Sequence, residues 1–207
     1  MELLLIRHAL PVRVERSSGR ADPPLSDDGI AQAERLADYL ATERIDAVYA
    51  SPLRRALETA EPVARAHGLE VRESPDVAEW DQNSPEYVPV EELRAANDPR
   101  WQALLEGAWD SDEPEADFHA RVYRAVERIV ADHRGERVAI SCHGGVINSY
   151  LARILGLTGE ATRGFFYPNY TSIHRVAAAT SGERSILTVN ETAHLRGSGL
   201  PIGLFQS

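Results

Sequence analysis

Three short polar motifs, far apart in the sequence, carry side chains that bind anions or transfer groups. Arg7 and His8 directly follow one apolar run, and His143 directly follows another. Between them, residues 51–60 have the sequence SPLRRALETA, with two adjacent arginines. A neutral imidazole is a nucleophile towards phosphorus, and planar guanidinium groups bind phosphate oxygens in pairs. These residue types indicate that the protein transfers a phosphoryl group.

Short apolar runs and longer amphipathic segments alternate along the chain, which is typical of an α/β fold. Apolar runs predict strands over residues 3–6, 46–50, 69–72, 137–142, 171–178 and 184–191. Helical spacing predicts helices over residues 27–40, 52–67, 118–129 and 146–155. Ser26 and Ser51 are the predicted N-caps of the first two helices. We therefore expect a three-layer sandwich with helices on both faces of a mostly parallel sheet.

The three motifs each follow a predicted strand. In open α/β sheets, ligands bind beyond the carboxyl ends of the strands. We therefore expect His8, the turn at residues 51–55 and His143 to meet at one edge of the sheet. The helix that begins near Pro52 should point free backbone amides at the same anion.

The composition excludes several classes of protein. The net charge is −10, which argues against nucleic-acid binding, although all 22 basic residues are arginines that can form a local anion site. A single cysteine, Cys142, allows no internal disulfide, and no apolar stretch is long enough to span a membrane. The histidines lack metal-ligand spacing. These features predict a cytoplasmic protein that uses no metal and binds neither membranes nor nucleic acids.

Residues 81–113 differ from the rest of the chain because they combine prolines, many acidic residues and the aromatic residues Tyr87, Trp101 and Trp109. Only short helical pieces, such as residues 90–96, are predicted there. We interpret this segment as a cap inserted into a single domain of residues 1–207. The glycine-rich tail after Arg196 is expected to be loose.

Taken together and in order, four motifs resemble the histidine phosphatase superfamily, which has the phosphoglycerate mutase-like fold. They are Leu-Ile-Arg7-His8, the SPLRRALETA segment, Val77-Ala78-Glu79-Trp80 and the sequence SCHGGV around His143. The resemblance covers nearly the whole chain. It implies a mixed, mainly parallel sheet with helices on both faces and a small cap. It also implies a cofactor-independent enzyme of the histidine acid phosphatase type, which is often a homodimer.

The resemblance also implies a role for each motif residue. His8 is the expected nucleophile, and Arg7, Arg55 and His143 are expected to bind the phosphoryl oxygens. Arg55, which precedes an alanine, matches the family arginine, whereas Arg54 does not. Glu79 is expected to give a proton to the leaving group.

Three features leave alternatives open. Asp81 lies two residues from Glu79 and is an alternative proton donor. The family's usual glycine after the nucleophile is Ala9 here, for which we expect a minor effect. Additional phosphate contacts from the following loop are unassigned, with Arg13 or Ser17 as candidates.

These observations favour a phosphomonoesterase that acts on a small phosphorylated metabolite through a phosphohistidine on His8. One alternative is a phosphoglycerate-type mutase, but such mutases carry an Arg-His-Tyr-Gly-like stretch where this chain has WDQNSP after Glu79. The other is a non-catalytic module that binds a phosphorylated ligand or partner. The sequence does not select among phosphoglycerates, sugar phosphates, phosphoserine and nucleotide-like phosphates.

Overall fold

A computed structural model describes residues 1–106, 111, 113–157 and 165–204. The strands are β1 (Glu2–Arg7), β2 (Val14–Glu15), β3 (Ala47–Ala50), β4 (Val71–Glu73), β5 (Glu86–Tyr87), β6 (Arg137–Cys142), β7 (Ile173–Ala178) and β8 (Arg184–Glu191). The α-helices are α1 (Asp27–Leu40), α2 (Arg54–Ala66), α3 (Val90–Ala95), α4 (Pro99–Leu105), α5 (Glu115–Asp132) and α6 (Gly144–Leu155). Two 3-10 turns lie at Pro75–Val77 and Ala193–Leu195.

The main sheet has six strands in the order β4-β3-β6-β1-β7-β8. Strands β4, β3, β6 and β1 are parallel, whereas β7 and β8 run antiparallel to their neighbours. Strands β1 and β6 end in register, since Arg7 pairs with Cys142. Residues His8 and His143 therefore leave the sheet side by side, and the His8 amide donates to the Cys142 carbonyl oxygen at 2.9 Å.

Helices cover both faces of this sheet. Strand β1 is apolar on both sides and almost wholly buried, as expected for a central parallel strand. One face packs against α5 and α6 through Val126, Ile147 and Tyr150, and the other packs against α1 and α2 through Leu36 and Val63. The predicted three-layer α/β sandwich with a mixed, mainly parallel sheet is confirmed.

The two predicted N-caps have different outcomes. The Ser26 hydroxyl accepts a hydrogen bond from the Gly29 amide at 3.1 Å and caps α1 as predicted. Helix α2 begins only at Arg54, with Leu53 at its N-cap and no side-chain cap. The predicted Ser51 cap is therefore wrong.

Two short strands bring distant segments together. Strand β2 lies in the loop predicted for residues 11–25 and pairs antiparallel with β5, so that Val14 lies opposite Tyr87. Local sequence gave no signal for this pairing. Helices α3 and α4 then follow β5. Trp109, which falls in the predicted cap, lies outside the described residues.

The segment after Arg196 packs against the domain. The Tyr170 amide donates to the Ile202 carbonyl oxygen at 2.8 Å, and Arg94 Nη1 donates to the Leu204 carbonyl oxygen at 2.7 Å. The Leu204 side chain is buried. The expectation of a loose tail is therefore wrong up to Leu204, because bonds to remote residues hold the backbone.

Candidate active site

The predicted site residues meet at one edge of the sheet. Arg7, His8, Arg55 and Glu79 line a cavity of about 730 Å³. The ring of His143 lies beside them, with its centroid 5.2 Å from that of His8. Both histidines and both arginines are buried. The structure thus brings together all five residues that the sequence predicts for the site.

The environment of His8 determines which ring nitrogen is free. Nδ1 lies 2.8 Å from the Ala9 carbonyl oxygen, which can only accept, so Nδ1 carries the proton and Nε2 keeps its lone pair. Burial, followed by the charges of Arg55 and Arg7, holds the pKa of His8 well below its usual range. The imidazole is therefore neutral, with Nε2 available as a nucleophile.

Thr59 fixes the backbone that follows the nucleophile. Its hydroxyl accepts a hydrogen bond from the Ala9 amide at 2.9 Å and donates to the Arg55 carbonyl oxygen at 2.7 Å. One side chain thus ties the segment carrying His8 to the first turn of α2, which carries Arg55. This role of Thr59 was not predicted from the sequence. Its position in the motif, four residues after Arg55 and on the same helix face, is the signal that could have found it.

The hydroxyl of Ser51 contacts the second histidine instead of capping a helix. His143 Nε2 lies 2.8 Å from Ser51 Oγ. The other nitrogen of His143, Nδ1, is buried and has no hydrogen-bond partner among the described residues. Burial, followed by the charges of Arg55 and His8, lowers the pKa of His143 well below its usual range. A serine before a proline at a strand end fits a cap equally well, which is why the sequence misassigned it.

Arg7 is fixed between two tyrosine rings. Its Nη1 donates to the Pro168 carbonyl oxygen at 2.6 Å, and its Cζ lies 4.7 Å and 4.2 Å from the ring centroids of Tyr167 and Tyr170. Glu91 of α3 holds both tyrosines, since its two carboxylate oxygens accept from their hydroxyls at 3.1 Å and 3.0 Å. No local pattern in the sequence connects these three residues, so they were not predicted.

The guanidinium of Arg55 is buried and forms no ion pair with the residues that the structure describes. Its Cζ lies 4.7 Å from the ring centroid of Tyr87, and its Nε is buried and unbonded within the described part of the chain. A buried, unpaired charge is costly, and binding of an anion removes that cost. Arg55 is therefore prepared to bind an anion such as a phosphoryl group.

The neighbouring Arg54 has a different role. Its side chain is exposed and pairs with Glu58 at 2.6 Å. Its backbone amide donates to Asp22 Oδ1 at 2.8 Å. The expectation that the first amides of α2 point at the substrate therefore fails for Arg54, whose amide already has a carboxylate partner.

Glu79 is held against the first turn of α6. Its Oε2 accepts from the Gly145 amide at 2.9 Å, and its Oε1 accepts from the Trp80 amide at 2.9 Å. A Cβ on Gly145 would lie only 2.2 Å from Oε1, so only glycine allows this close approach. Burial, followed by the charge of Asp81, raises the pKa of Glu79. Asp81 also lines the cavity, so both candidate proton donors lie at the site.

The loop candidates for further phosphate contacts lie elsewhere. Arg13 is half-exposed, and its Nε donates to Glu15 Oε1 at 2.9 Å. Neither Arg13 nor Ser17 belongs to the cavity lining. The expectation that Arg13 or Ser17 contacts the phosphoryl group is therefore wrong.

Metal-ligand clusters and membrane-spanning helices are both absent from the described residues. Within residues 1–106, 111, 113–157 and 165–204, no group of three or more His, Cys, Asp or Glu side chains is arranged to hold a metal ion. In that same part of the chain, no helix has the length and apolar character needed to cross a membrane.

The chain is similar to known proteins in both sequence and structure. Phosphoglycerate mutase-like protein 4 of Arabidopsis thaliana is 33% identical over 161 residues, which cover 73% of this chain and 70% of that protein. Phosphoserine phosphatase 1 of Hydrogenobacter thermophilus is 29% identical over 203 residues, which cover 94% of each chain. The structure of mycobacterial glucosyl-3-phosphoglycerate phosphatase with VO3 superposes with a TM-score of 0.75 at 21% identity. The superposition covers 92% of this chain and 99% of the mycobacterial chain, and it supports the fold alone.

A family model also matches nearly the whole chain. The model of the histidine phosphatase superfamily (branch 1) matches residues 3–192, which include all five predicted site residues. Together with the α/β architecture and the meeting of the motifs at one edge of the sheet, this match identifies the family. The chain belongs to the histidine phosphatase superfamily.

Proposed function

We propose that this protein is a phosphomonoesterase that hydrolyses a small phosphorylated metabolite through a phosphohistidine on His8, without a metal or organic cofactor. The proposal rests on two groups that line the same cavity. One is a neutral His8 with a free Nε2, and the other is the buried guanidinium of Arg55, whose Nε has no hydrogen-bond partner among the described residues. A nucleophile and an anion-binding group next to it are the two parts that phosphoryl transfer requires.

In the first step, the lone pair of His8 Nε2 attacks phosphorus and the bond from phosphorus to the leaving oxygen breaks. Arg7 and Arg55 bind the outer phosphoryl oxygens, on which the negative charge is spread. The leaving oxygen takes a proton from the carboxyl group of Glu79, whose raised pKa favours the protonated form. The Ala9 carbonyl oxygen keeps accepting from Nδ1–H and stabilises the positive charge of the phosphorylated ring.

In the second step, water attacks phosphorus and gives its proton to the Glu79 carboxylate. The bond from phosphorus to Nε2 breaks, the electron pair returns to the ring, and inorganic phosphate leaves. Asp81 is the alternative proton donor, and comparison of Glu79→Gln with Asp81→Asn distinguishes the two. The variant that loses activity on an alkyl phosphate, and loses less on p-nitrophenyl phosphate, identifies the residue that protonates the leaving group.

The relatives' names support a phosphatase more than a mutase. The match to a phosphoserine phosphatase extends over 94% of both chains, whereas the match to a phosphoglycerate mutase-like protein extends over 73% of this chain. The segment after Glu79 also lacks the Arg-His-Tyr-Gly-like stretch of the mutases. Hydrolysis is therefore the better proposal.

The test is a pair of measurements on the wild type and His8→Ala. We expect the wild type to release phosphate from phenyl phosphate and to show, after rapid quenching at alkaline pH, a phosphohistidine on His8 by mass spectrometry. His8→Ala should lose turnover and labelling while keeping the wild-type melting temperature. Turnover by His8→Ala at near the wild-type rate would overturn the proposal.

The same assay separates the rival functions. A mutase would convert 3-phosphoglycerate to 2-phosphoglycerate with little release of phosphate. A binding module would bind vanadate but release no phosphate from any ester between acid and neutral pH.

A further inference from the structure

The cavity extends far beyond the groups that hold a phosphoryl group. Its volume of about 730 Å³ lies within the range of roughly 300–1,000 Å³ that holds drug-sized ligands. A phosphoryl group beside Arg7, His8 and Arg55 fills only a small part of this space. The remaining lining must therefore contact the alcohol part of the ester.

That lining is strongly apolar, and we name part of it the apolar wall. The wall is formed by Val90, Trp101, Leu104, Leu105, Phe118 and Phe166. It differs from the site around His8, where the lining side chains are charged or polar. Phe118 is already packed in the core, but the other five are only partly buried or are exposed. A phosphorylated molecule with a small polar alcohol would leave those five against water.

Helix α4 gives the clearest sign that the wall serves a ligand. The helix spans seven residues and carries Trp101, Leu104 and Leu105, yet none of its residues is buried. Leu105 is 58% exposed. Trp101 and Leu104 are only partly buried, and all three of these large apolar side chains line the cavity. A ligand that covers them removes their apolar surface from water, which favours binding.

The charges near the wall disfavour a second acidic group on the substrate. Arg100 is the arginine that lines this part, and its charge is already paired: Nη2 donates to Asp98 at 2.8 Å and Nη1 donates to Glu86 at 2.9 Å. Carboxylates also line the cavity, and a carboxylate on the substrate would meet like charges. Besides Glu79 at the phosphoryl site, these acidic lining residues are Asp81, Glu106 and Glu115, together with Glu86, whose charge Arg100 offsets.

We propose that the substrate is a phosphomonoester of a bulky, largely apolar alcohol that carries no carboxylate. The proposal rests on the phosphatase function above, and it narrows the substrate class. The phosphoryl group binds at Arg7, His8 and Arg55, and the alcohol covers Trp101 and Leu104 of the apolar wall. Phosphoglycerates and phosphoserine, which carry a carboxylate beside a short chain, fit this lining poorly.

The test is a series of linear alkyl phosphates from propyl to octyl, used below the concentrations at which they form micelles. Their leaving groups have nearly equal reactivity, so a trend in kcat/KM reports contact with the alkyl chain. We expect kcat/KM to rise about fourfold for each methylene buried, until the chain covers the wall. 3-Phosphoglycerate and O-phosphoserine should react more slowly than butyl phosphate.

A matched pair of variants locates the effect. Leu104→Gln should lower the ratio of kcat/KM for octyl over propyl phosphate by about tenfold. Leu187→Gln replaces a leucine of β8 that is 52% exposed and lies outside the cavity lining, and it should leave the ratio unchanged. If both variants leave the ratio unchanged, the alkyl chain does not contact α4 and the proposal fails.

Binding of alkylphosphonates, which are not hydrolysed, separates this proposal from the phosphatase function. We expect calorimetry on the wild type to show tighter binding from propyl- to octylphosphonate. If affinity rises with chain length but no ester is hydrolysed, the phosphatase proposal fails and the binding preference stands. If esters are hydrolysed without dependence on chain length, or if 3-phosphoglycerate is preferred, the substrate proposal is overturned and the phosphatase function stands.

Discussion

The phosphoryl site and the apolar wall belong to one cavity but are held in different ways. At the phosphoryl site, His8 and His143 follow paired central strands, and Ser51, Thr59 and Glu91 fix the groups around them through hydrogen bonds. At the apolar wall, α4 lies on a segment inserted between β5 and α5, and it buries none of its residues.

This difference assigns phosphoryl transfer to the phosphoryl site and the preference among esters to the apolar wall. Phosphoryl transfer needs its groups held to within a fraction of an ångström, which buried and hydrogen-bonded side chains at strand ends provide. Contact with an apolar alcohol is non-directional and tolerates movement. Substitutions at the phosphoryl site should therefore change the rate for every ester, whereas substitutions at the wall should change only the preference among esters.

The largest effect is expected at Arg55. Arg55→Ala removes a charge that binds the transferring phosphoryl group, so kcat/KM for phenyl phosphate should fall by about 10²–10³. The melting temperature should not fall, because the substitution removes an unpaired buried charge. Arg54→Ala is the matched control and should stay within about twofold, since an exposed pair such as Arg54–Glu58 contributes little. Equal losses in the two variants would contradict the assignment.

The next effect concerns the two glycines of α6. Gly145→Ala places a Cβ 2.2 Å from Glu79 Oε1 and displaces that carboxyl group, so kcat on an alkyl phosphate should fall roughly 10²-fold. Gly144→Ala is the control, because its Cβ meets only Pro168 at 3.9 Å. The loss should be smaller on p-nitrophenyl phosphate, whose leaving group needs no proton. Similar kinetics for both alanine variants would show that Glu79 does not depend on Gly145.

The titration of His8 is the next test. An ordinary imidazole with a pKa of about 6.5 is roughly nine-tenths protonated at pH 5.5, whereas the lowered pKa of His8 keeps it neutral there. Nitrogen-15 NMR of the imidazole groups, assigned with His8→Gln, should show the Nδ1–H tautomer from pH 7 to pH 5.5. Titration of His8 near pH 6.5, or the Nε2–H tautomer, would contradict the proposed nucleophile.

A smaller effect is expected at Glu91, which supports the phosphoryl site from α3. Glu91→Gln replaces one acceptor by a donor and weakens one of the two bonds to Tyr167 and Tyr170, so KM should rise roughly fivefold, as for the loss of one hydrogen bond. The value of kcat should change less, since the tyrosines position Arg7 without contacting the reacting atoms. Glu92→Gln, at an exposed neighbouring position, should leave both constants unchanged. An unchanged KM in Glu91→Gln would show that Glu91 does not help to position Arg7.

The smallest effect is expected at the wall when the substrate is short. Trp101→Ala should leave kcat/KM for methyl phosphate within about twofold, because a methyl group does not reach the wall. A tenfold loss for methyl phosphate would show that the wall and the phosphoryl site act as one unit. The wall would then affect the rate for every ester, and not only the preference among esters.

The sequence predicted those parts of the site that follow from strand order. Arg7, His8 and His143 could be placed together because parallel strands end at one edge of a sheet. The contact of Ser51 with His143 could not be predicted, because it depends on a register between β3 and β6 that no local pattern contains.

The same limit applies to contacts between remote segments. Glu91 contacts Tyr170 across 79 positions, and Ile202 is held by the backbone of Tyr170, so neither contact leaves a periodic signal in the sequence. The glycines of the tail led to the wrong expectation of a loose segment, because local preference does not decide packing when remote hydrogen bonds form. The fold class and the placement of Arg7, His8 and His143 thus follow from local patterns, and the resemblance to a family adds Arg55 and Glu79. The groups that support these residues follow from neither.

The absence of buried residues in α4 has a consequence for laboratory evolution. Most substitutions lower stability because they disturb a packed interior, and side chains that are only partly buried or are exposed incur less of that penalty. A library randomised at positions 101, 104 and 105 should therefore consist mainly of folded variants that keep the phosphoryl chemistry. Selection among them would act on the choice of alcohol alone, which makes this helix the place to redesign the enzyme for a new ester.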